Sequence, residues 1–505
     1  MSPEPISYYT SLERLEDLSG SDIGGLVPVF DWDEETCQFA ILDCFEQQLR
    51  QSRRLLMAID GKLELLTATS GTLNQLAKRD ARFVAQFHDG PVKEALSDLS
   101  PLRAFLDVAS GLLRNGTLTL LDDEGKTQAR ARLRQLTPED GNAVVLISPA
   151  RLRGYDDALD ALTARIRACG GTPLNGGNFY RMINHASVGY VAKPTIAIDR
   201  RDTAFDTATS LIGSYLPVAR ANEYGIVCDL DTEFLHDYRI ALRKVRSVLS
   251  LLKGVYATDQ TDELKARFSA LMASTNSLRD LDVYLLDQDA FRALVPESMH
   301  EGLDAMFGLI RARRKKEQAQ LAQYLESGRY NTEMKALAKL FAKKRKLIPG
   351  PNASRASYDL ACELIWKRYR KIRRAAASIV AETPDEEIHS LRIECKKLRY
   401  LMELFASMFP PEQFSRLLKS LKRLQDSLGL FNDCSVQQAS LQSFVESLGN
   451  EQQQLGIAQS VGALITVLHQ RQIAEREKIT GAFARFSDDN TKRSFSVLFR
   501  NGKEI

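Results

Sequence analysis

The sequence predicts an α+β domain followed by an all-α domain. Three observations carry the prediction. Up to about residue 200, glycines, turn dipeptides and β-branched runs are frequent; beyond it, stretches of Leu, Ala, Arg, Lys, Glu and Gln run with few glycines or prolines. Charge divides at the same place: residues 1–200 hold 22 Lys+Arg against 27 Asp+Glu, and residues 201–505 hold 46 against 38. The second part also carries one basic motif written twice, at positions 236 and 389. The junction is read at Lys193-Pro194 to Thr203, giving domains at 1–195 and 201–490 and a tail at 491–505.

A chain of 505 residues, 44% hydrophobic and 26% charged, is long enough for more than one core and is not disordered as a whole. No apolar run approaches the roughly 18–20 residues of a membrane helix, and Met1-Ser2-Pro3-Glu4-Pro5 lacks the features of a signal peptide. The seven cysteines (Cys37, Cys44, Cys169, Cys228, Cys362, Cys395 and Cys434) are scattered, odd in number and form no C-x-x-C pair. This argues for a reducing compartment, and against a cysteine zinc site or disulfide framework.

In the first domain, Leu26–Phe30 and Phe39–Asp43 read as short strands, and Leu55–Leu66 as a hairpin around Asp60-Gly61. The strongest hairpin joins Thr117–Leu121 to Gln128–Leu136 across Asp122-Asp123-Glu124-Gly125-Lys126. Its second strand alternates Arg130, Arg132 and Arg134 with Ala129, Ala131 and Leu133, so the arginines share one sheet face. That face is either solvated or an anion-binding wall. Val144–Ile147 reads as a strand, and Tyr155–Cys169 as a helix stopped by Gly170-Gly171. Leu73–His88 and Lys93–Leu113 are further helical candidates.

The order of the strand ending at Leu42-Asp43, the Arg-rich Leu49–Arg54 segment, a hairpin and the Gly125…Arg130-Ala131-Arg132 strand resembles the CYTH domain. That resemblance implies a closed β-barrel tunnel that holds triphosphate and metal. The family's Glu-x-Glu-x-Lys strand is not found near Pro3-Glu4-Pro5-Ile6, and Val144–Ile147 carries no alternating glutamates. A divalent cation bridging phosphates needs converging carboxylates. The domain therefore reads as a degenerate barrel with no catalytic residues.

In the second domain, His236-Asp237-Tyr238-Arg239-Ile240-Ala241-Leu242-Arg243-Lys244-Val245-Arg246 returns as His389-Ser390-Leu391-Arg392-Ile393-Glu394-Cys395-Lys396-Lys397-Leu398-Arg399. The register carries on, with Leu278-Arg279-Asp280 matching Phe431-Asn432-Asp433, an ungapped match over about 50 residues that argues for internal duplication. Asp231 or Thr232, and Thr383-Pro384-Asp385, supply helix-cap chemistry. On a helix, His236, Arg239, Arg243 and Arg246 fall in a stripe roughly 80° wide, as do His389, Arg392, Lys396 and Arg399. Val245, Val248, Leu249 and Leu252, and Leu398, Leu401, Met402 and Phe405, form the opposite, core-facing sides. A row of cations at this density repels itself unless an anion lies along it. A metal on the two histidines is disfavoured, because their neighbours are cationic. Further basic clusters surround Arg311 and Arg314, Lys367, Arg370 and Arg374, and Lys419, Lys422 and Arg423. Lys343–Lys346 reads as a solvated face, and the Pro349–Ser354 linker as the break between halves at about 201–348 and 354–490.

Arg220-x-Asn222-Glu223-Tyr224-Gly225, Asp231-x-Glu233-x-Leu235-His236, the two stripes, and Leu424-Gln425-Asp426-x-Leu428-Gly429-x-x-Asn432-Asp433 together resemble the CHAD domain, the conserved histidine α-helical domain. The resemblance implies two pseudo-symmetric four-helix bundles around a basic channel that binds inorganic polyphosphate. It carries the binding role to His236, Arg239, Arg243, Lys244, Arg246, His389, Arg392, Lys396, Lys397 and Arg399. Arg311, Arg314, Lys367, Arg370, Arg374, Lys419, Lys422 and Arg423 are further lining candidates. The expected partner is polyphosphate, bound without chemistry or cofactor, in the cytoplasm and at polyphosphate granules. One alternative is a triphosphatase in the first domain, which alone would call for Mg or Mn. Another is nucleic-acid binding, disfavoured because aromatics are sparse along the stripes.

Overall fold

The computed structural model describes residues 6–19, 22–67, 71–139, 142–174, 179–183, 190–380, 383–447 and 452–500. Residues 1–5 and 501–505, in the expected N-terminal motif region and tail, lie outside them. The chain divides into two units, 1–192 and 193–505. No described helix is long and apolar enough to cross a membrane.

Among the described residues, the first unit is built on a nine-stranded antiparallel sheet. Its strands are β1 (Tyr8–Ser11), β2 (Val27–Asp43), β3 (Arg54–Ile59), β4 (Lys62–Thr67), β5 (Gly71–Leu76), β6 (Leu106–Leu121), β7 (Thr127–Pro138), β8 (Val144–Ala150) and β9 (Thr172–Pro173), in the order β5-β4-β3-β2-β6-β7-β8-β1-β9. Helices α1 (Leu12–Ser19), α2 (Gln48–Gln51), α3 (Pro91–Ala95), α4 (Asp156–Ala168) and α5 (Phe179–Ile183) accompany it. The β3–β4 turn places Asp60 and Gly61 at φ 45° and 73°, the paired positive angles that a two-residue hairpin needs. Helix α4 buries Leu159, Leu162 and Ile166 and ends before Gly170, at φ 81°.

Several expectations are corrected. Leu26–Phe30 and Phe39–Asp43 belong to one strand, β2; Asp33-Glu34-Glu35 between them is a register irregularity against β6. Leu73–His88 is not a helix. Its first residues complete the edge of β4, and Gln75 then ties the following turn by donating to His88 O and accepting from Val92 N. Lys93–Leu113 holds only the end of α3, and from Leu106 onward it pairs with β2. In both segments strand pairing overrides the apolar spacing that suggested a helix. The implied closed barrel is also not formed. Among the described residues, β5 and β9 are free edges. The sheet still curls, since Arg134 on β7 ion-pairs with Glu64 on β4 across the intervening β3, β2 and β6.

The second unit is helical: α6 (Ala204–Val227), α7 (Thr232–Leu251), α8 (Thr258–Ala273), α9 (Asn276–Leu286), α10 (Gln288–Arg292), α11 (His300–Glu326), α12 (Gly328–Ala342), α13 (Ser357–Ala377), α14 (Asp385–Phe405), α15 (Pro411–Glu446), α16 (Gln452–Phe486) and α17 (Asp489–Phe499). Helices α13 and α14 begin where α6 and α7 do, shifted by the offset of the motif. Where the first copy breaks between α8 and α9, the second runs on as one helix, α15. Residues related by the offset meet: Thr203 bridges Ala356, and the Tyr284 hydroxyl donates to Gln437 O at 3.4 Å.

Local chemistry explains the entry to α7. Asp231 caps it, accepting from Glu233 N at 2.8 Å and Phe234 N at 3.2 Å. A Cβ on Gly225 would meet the Phe234 ring at 2.1 Å, so the α6–α7 corner closes only on glycine. Helix α14 starts on Pro384 with no side-chain cap, and Thr383 Oγ1 accepts from Val380 N instead. The Pro349–Ser354 linker is tied down, with Gly350 N donating to Val255 O and Asn352 N to Gly254 O.

Candidate functional site

Helices α7 and α14 pack on each other. Each buries its apolar face: Val245, Val248, Leu249 and Leu252 on one side, Leu398, Leu401, Met402 and Phe405 on the other. The stripes are left to the remaining faces, and they come close together. Burial and the nearby Arg392, Arg243 and Arg399 guanidinium groups push the Lys396 ammonium below its usual range, against the pull of Asp433. Arg243 belongs to the first copy and Lys396 to the second, at equivalent positions. Burial, with Arg243, Arg279 and Arg246 nearby, lowers Arg239 to about 10 even though Asp280 opposes this. Charge is therefore crowded on both sides of the α7–α14 contact.

Each row is held by residues further along its own copy, at the start of α9 in the first and on α15 in the second. Arg239 donates to Thr275 Oγ1 and, at 2.9 Å, to Asn276 Oδ1. On α15, Asn432 Oδ1 lies 2.5 Å from His389 Nδ1, Asp433 ion-pairs with Arg392 at 3.1 Å, and Gln425 Oε1 accepts from Arg399 at 3.0 Å. The polar residues of the Leu424–Asp433 motif thus orient the second row. The His389 Nδ1 is thus engaged by Asn432 rather than left for an outside anion. His236 is half-buried near the start of α7.

The cations are incompletely paired. Arg243, Arg246 and Lys396 make no ion pair with a described residue, whereas Arg399 and Lys244 share Glu403. Two donors in the cluster, Arg279 Nη1 and Arg392 Nε, are buried without a hydrogen-bond partner among the described residues. Buried donors left this way cost about 1–3 kcal/mol each. Arg279 was not singled out in the sequence. It stands where the second copy has Asn432, and only its closeness to Arg239 gives it away.

Other expected residues go elsewhere. Lys397 turns from the row to Glu394, which also takes Arg368 and Lys371. Burial would raise the Glu394 carboxyl, but these three cations hold it down at about 2. Lys244 bridges to α14 through Glu403 and lies over the Tyr400 ring. Arg314 pairs with Asp229 and with the buried Asp282, so it serves the fold of the first copy. Arg311 is exposed and donates to Gln288. Lys367, Arg370 and Arg374 are exposed on the side of α13 opposite Ile365, Tyr369 and Ile372. Lys419, Lys422 and Arg423 are exposed on α15; Lys422 lies one turn before Gln425 and Asp426.

On the first unit's sheet, Arg134 is buried, Arg132 lies 3.8 Å from Glu64, and Arg130 is exposed. Glu64 is already ion-paired there, and no group of three or more His, Cys, Asp or Glu among the described residues suits a metal. These donors do not fit the Mg or Mn of a triphosphatase.

The comparisons with known proteins concern the helical unit. Residues 210–442 match the family model of the CHAD domain. This region of the chain is a CHAD domain. The CHAD domain of the plant Ricinus communis is 22% identical, with a TM-score of 0.49 over 59% of this chain and 97% of that one. A chain described as PptA from Streptomyces chartreusis is 15% identical, with a TM-score of 0.44 over 56% of this chain and 99% of that one. No curated protein matches. Within the CHAD domain, the matched stretch contains both rows and the α15 residues that hold the second one.

Proposed function

We propose that the helical unit binds inorganic polyphosphate, a linear polyanion, along the cations of α7 and α14, without chemistry of its own. The observation that supports this most is the approach of Arg243 and Lys396, equivalent cations of the two copies, with no carboxylate paired to either among the described residues. Such an arrangement destabilises the free protein and is relieved by an anion with closely spaced charges. Guanidinium groups suit this ligand, because each can give two parallel hydrogen bonds to phosphate oxygens. No contact needs to read a base. Arg239, Arg392 and Arg399, held by Thr275, Asn276, Asp433 and Gln425, present pre-set donors, so less side-chain entropy is lost on binding. The proposal includes a cytoplasmic setting, with association to polyphosphate granules.

The test is filter binding of labelled long-chain polyphosphate to wild type and to Arg239→Glu/Arg392→Glu. The variant should lose at least about tenfold in affinity, as expected when charge-assisted contacts of about 1.5–3 kcal/mol are removed. Unchanged affinity would place the ligand elsewhere. RNA that outcompetes polyphosphate at equal phosphate concentration would reassign the site to nucleic acid.

A further inference from the structure

A groove of about 730 Å³ lies between α6 and α12, away from both cationic rows. Gly213, Leu216 and Arg220 line it from α6, and Met334, Lys335 and Ala338 from α12. A Cβ on Gly213 would meet nothing within 4 Å.

The second copy shows what this position holds when it is filled. By the motif offset, Gly213, Leu216 and Arg220 correspond to Trp366, Tyr369 and Arg373 on α13. Aligned by their capping residues, Ser327 and Asp488, Met334 and Ala338 on α12 correspond to Phe495 and Phe499 on α17. In the second copy these side chains form an aromatic stack. Tyr369 and Phe495 lie face to face with centroids 3.8 Å apart, Trp366 is 5.8 Å from Tyr369, and Phe499 is 5.6 Å from Phe495. The Arg373 guanidinium sits over the Tyr369 ring at 5.9 Å. In the first copy the rings are replaced by Gly, Leu, Met and Ala, while the arginine is kept.

Arg220 is left without the ring. Its Nη1 is buried and has no hydrogen-bond partner among the described residues. Glu223 lies 3.6 Å from its Nε and also accepts from the Tyr330 hydroxyl at 2.5 Å. Lys335 adds a second cation, and no carboxylate lines the groove among the described residues.

We infer that this groove binds a small aromatic anion, a one- or two-ring carboxylate or sulfonate, with its ring in the space the second copy fills and its charge on Arg220. The volume falls within the roughly 300–1,000 Å³ usual for small-molecule pockets. An apolar slot with one convergent cation selects a flat ring and an acidic group together, whereas polyphosphate, with no apolar part, gains nothing from it.

The probe pair is 8-anilinonaphthalene-1-sulfonate and its neutral relative N-phenyl-1-naphthylamine, titrated by fluorescence against the full chain. Wild type should bind one sulfonate probe per chain. Ala338→Phe, which copies Phe499 into the groove, should weaken it by about tenfold or more, since filling the slot removes the ring's buried area. Arg220→Gln should weaken the sulfonate about tenfold, the effect of one charge-assisted hydrogen bond, and leave the neutral probe within about twofold. If Ala338→Phe does not melt cooperatively, Gly213→Trp carries the same test. Sulfonate binding that survives the filled groove, or an Arg220→Gln loss shared equally by both probes, would overturn the inference.

Discussion

Replacing Arg243 and Lys396 with glutamine separates ligand binding from folding. Neither side chain makes an ion pair with a described residue, Arg243 is exposed, and each has cationic neighbours. Removing two like charges relieves repulsion in the free protein, so stability should hold or rise by up to about 0.5 kcal/mol, the scale of a like-charge pair on a helix. Binding should move the other way. Two charge-assisted interactions at about 1.5 kcal/mol each give about 3 kcal/mol, or roughly a 150-fold weaker Kd. The salt dependence supplies a second number. Every cation withdrawn from the phosphate chain lowers the slope of log K against log salt by about 0.7 for a single-stranded polyanion, so the variant should be shallower by about 1.4. Fluorescence polarisation of labelled polyphosphate from about 50 to 300 mM salt, with urea melts of both proteins, measures all of this. A variant that keeps its slope and affinity, or loses binding only in step with stability, would refute the reasoning.

Arg314→Ala should act through folding, because it strands the buried Asp282 carboxylate; the expected loss is about 3–5 kcal/mol in urea unfolding. Glu394→Gln should cost about 2 kcal/mol at neutral pH, where three cations lose their shared partner. Glu394 is held at about 2, below the roughly 4.3 of an unfolded glutamate. Its contribution is therefore complete above about pH 4.3 and is lost as pH falls toward 2, so wild type and variant should converge in acid melts. Lys367→Ala/Arg370→Ala/Arg374→Ala removes exposed cations from the far side of α13 and should change polyphosphate affinity by less than about threefold at physiological salt.

The helical part was legible because its signals are local. Spacing along one helix places His236, Arg239, Arg243 and Arg246 together without any tertiary contact, and duplication marks the same row at His389. The capping role of Asp231 follows from one residue type before an apolar run. What could not be read was pairing between elements. Nothing beside Glu394 announces that it takes Arg368 and Lys371 from α13, and nothing beside Arg314 announces Asp282, far away in the chain. Arg279 enters the cluster only because α9 packs against α7. The same limit explains Leu73–His88 and Lys93–Leu113, whose apolar residues are spaced loosely enough for a helix. Their strand portions are set by pairing with β4 and β2, which lie outside the two segments themselves.

The most direct test of the central claim is a crystal structure of the full chain with polyphosphate of defined length. Phosphate density should run along α7 and α14, with oxygens within hydrogen-bond distance of Arg243, Arg246 and Lys396. Density confined to the outer face of α13, at Lys367, Arg370 and Arg374, would contradict the account.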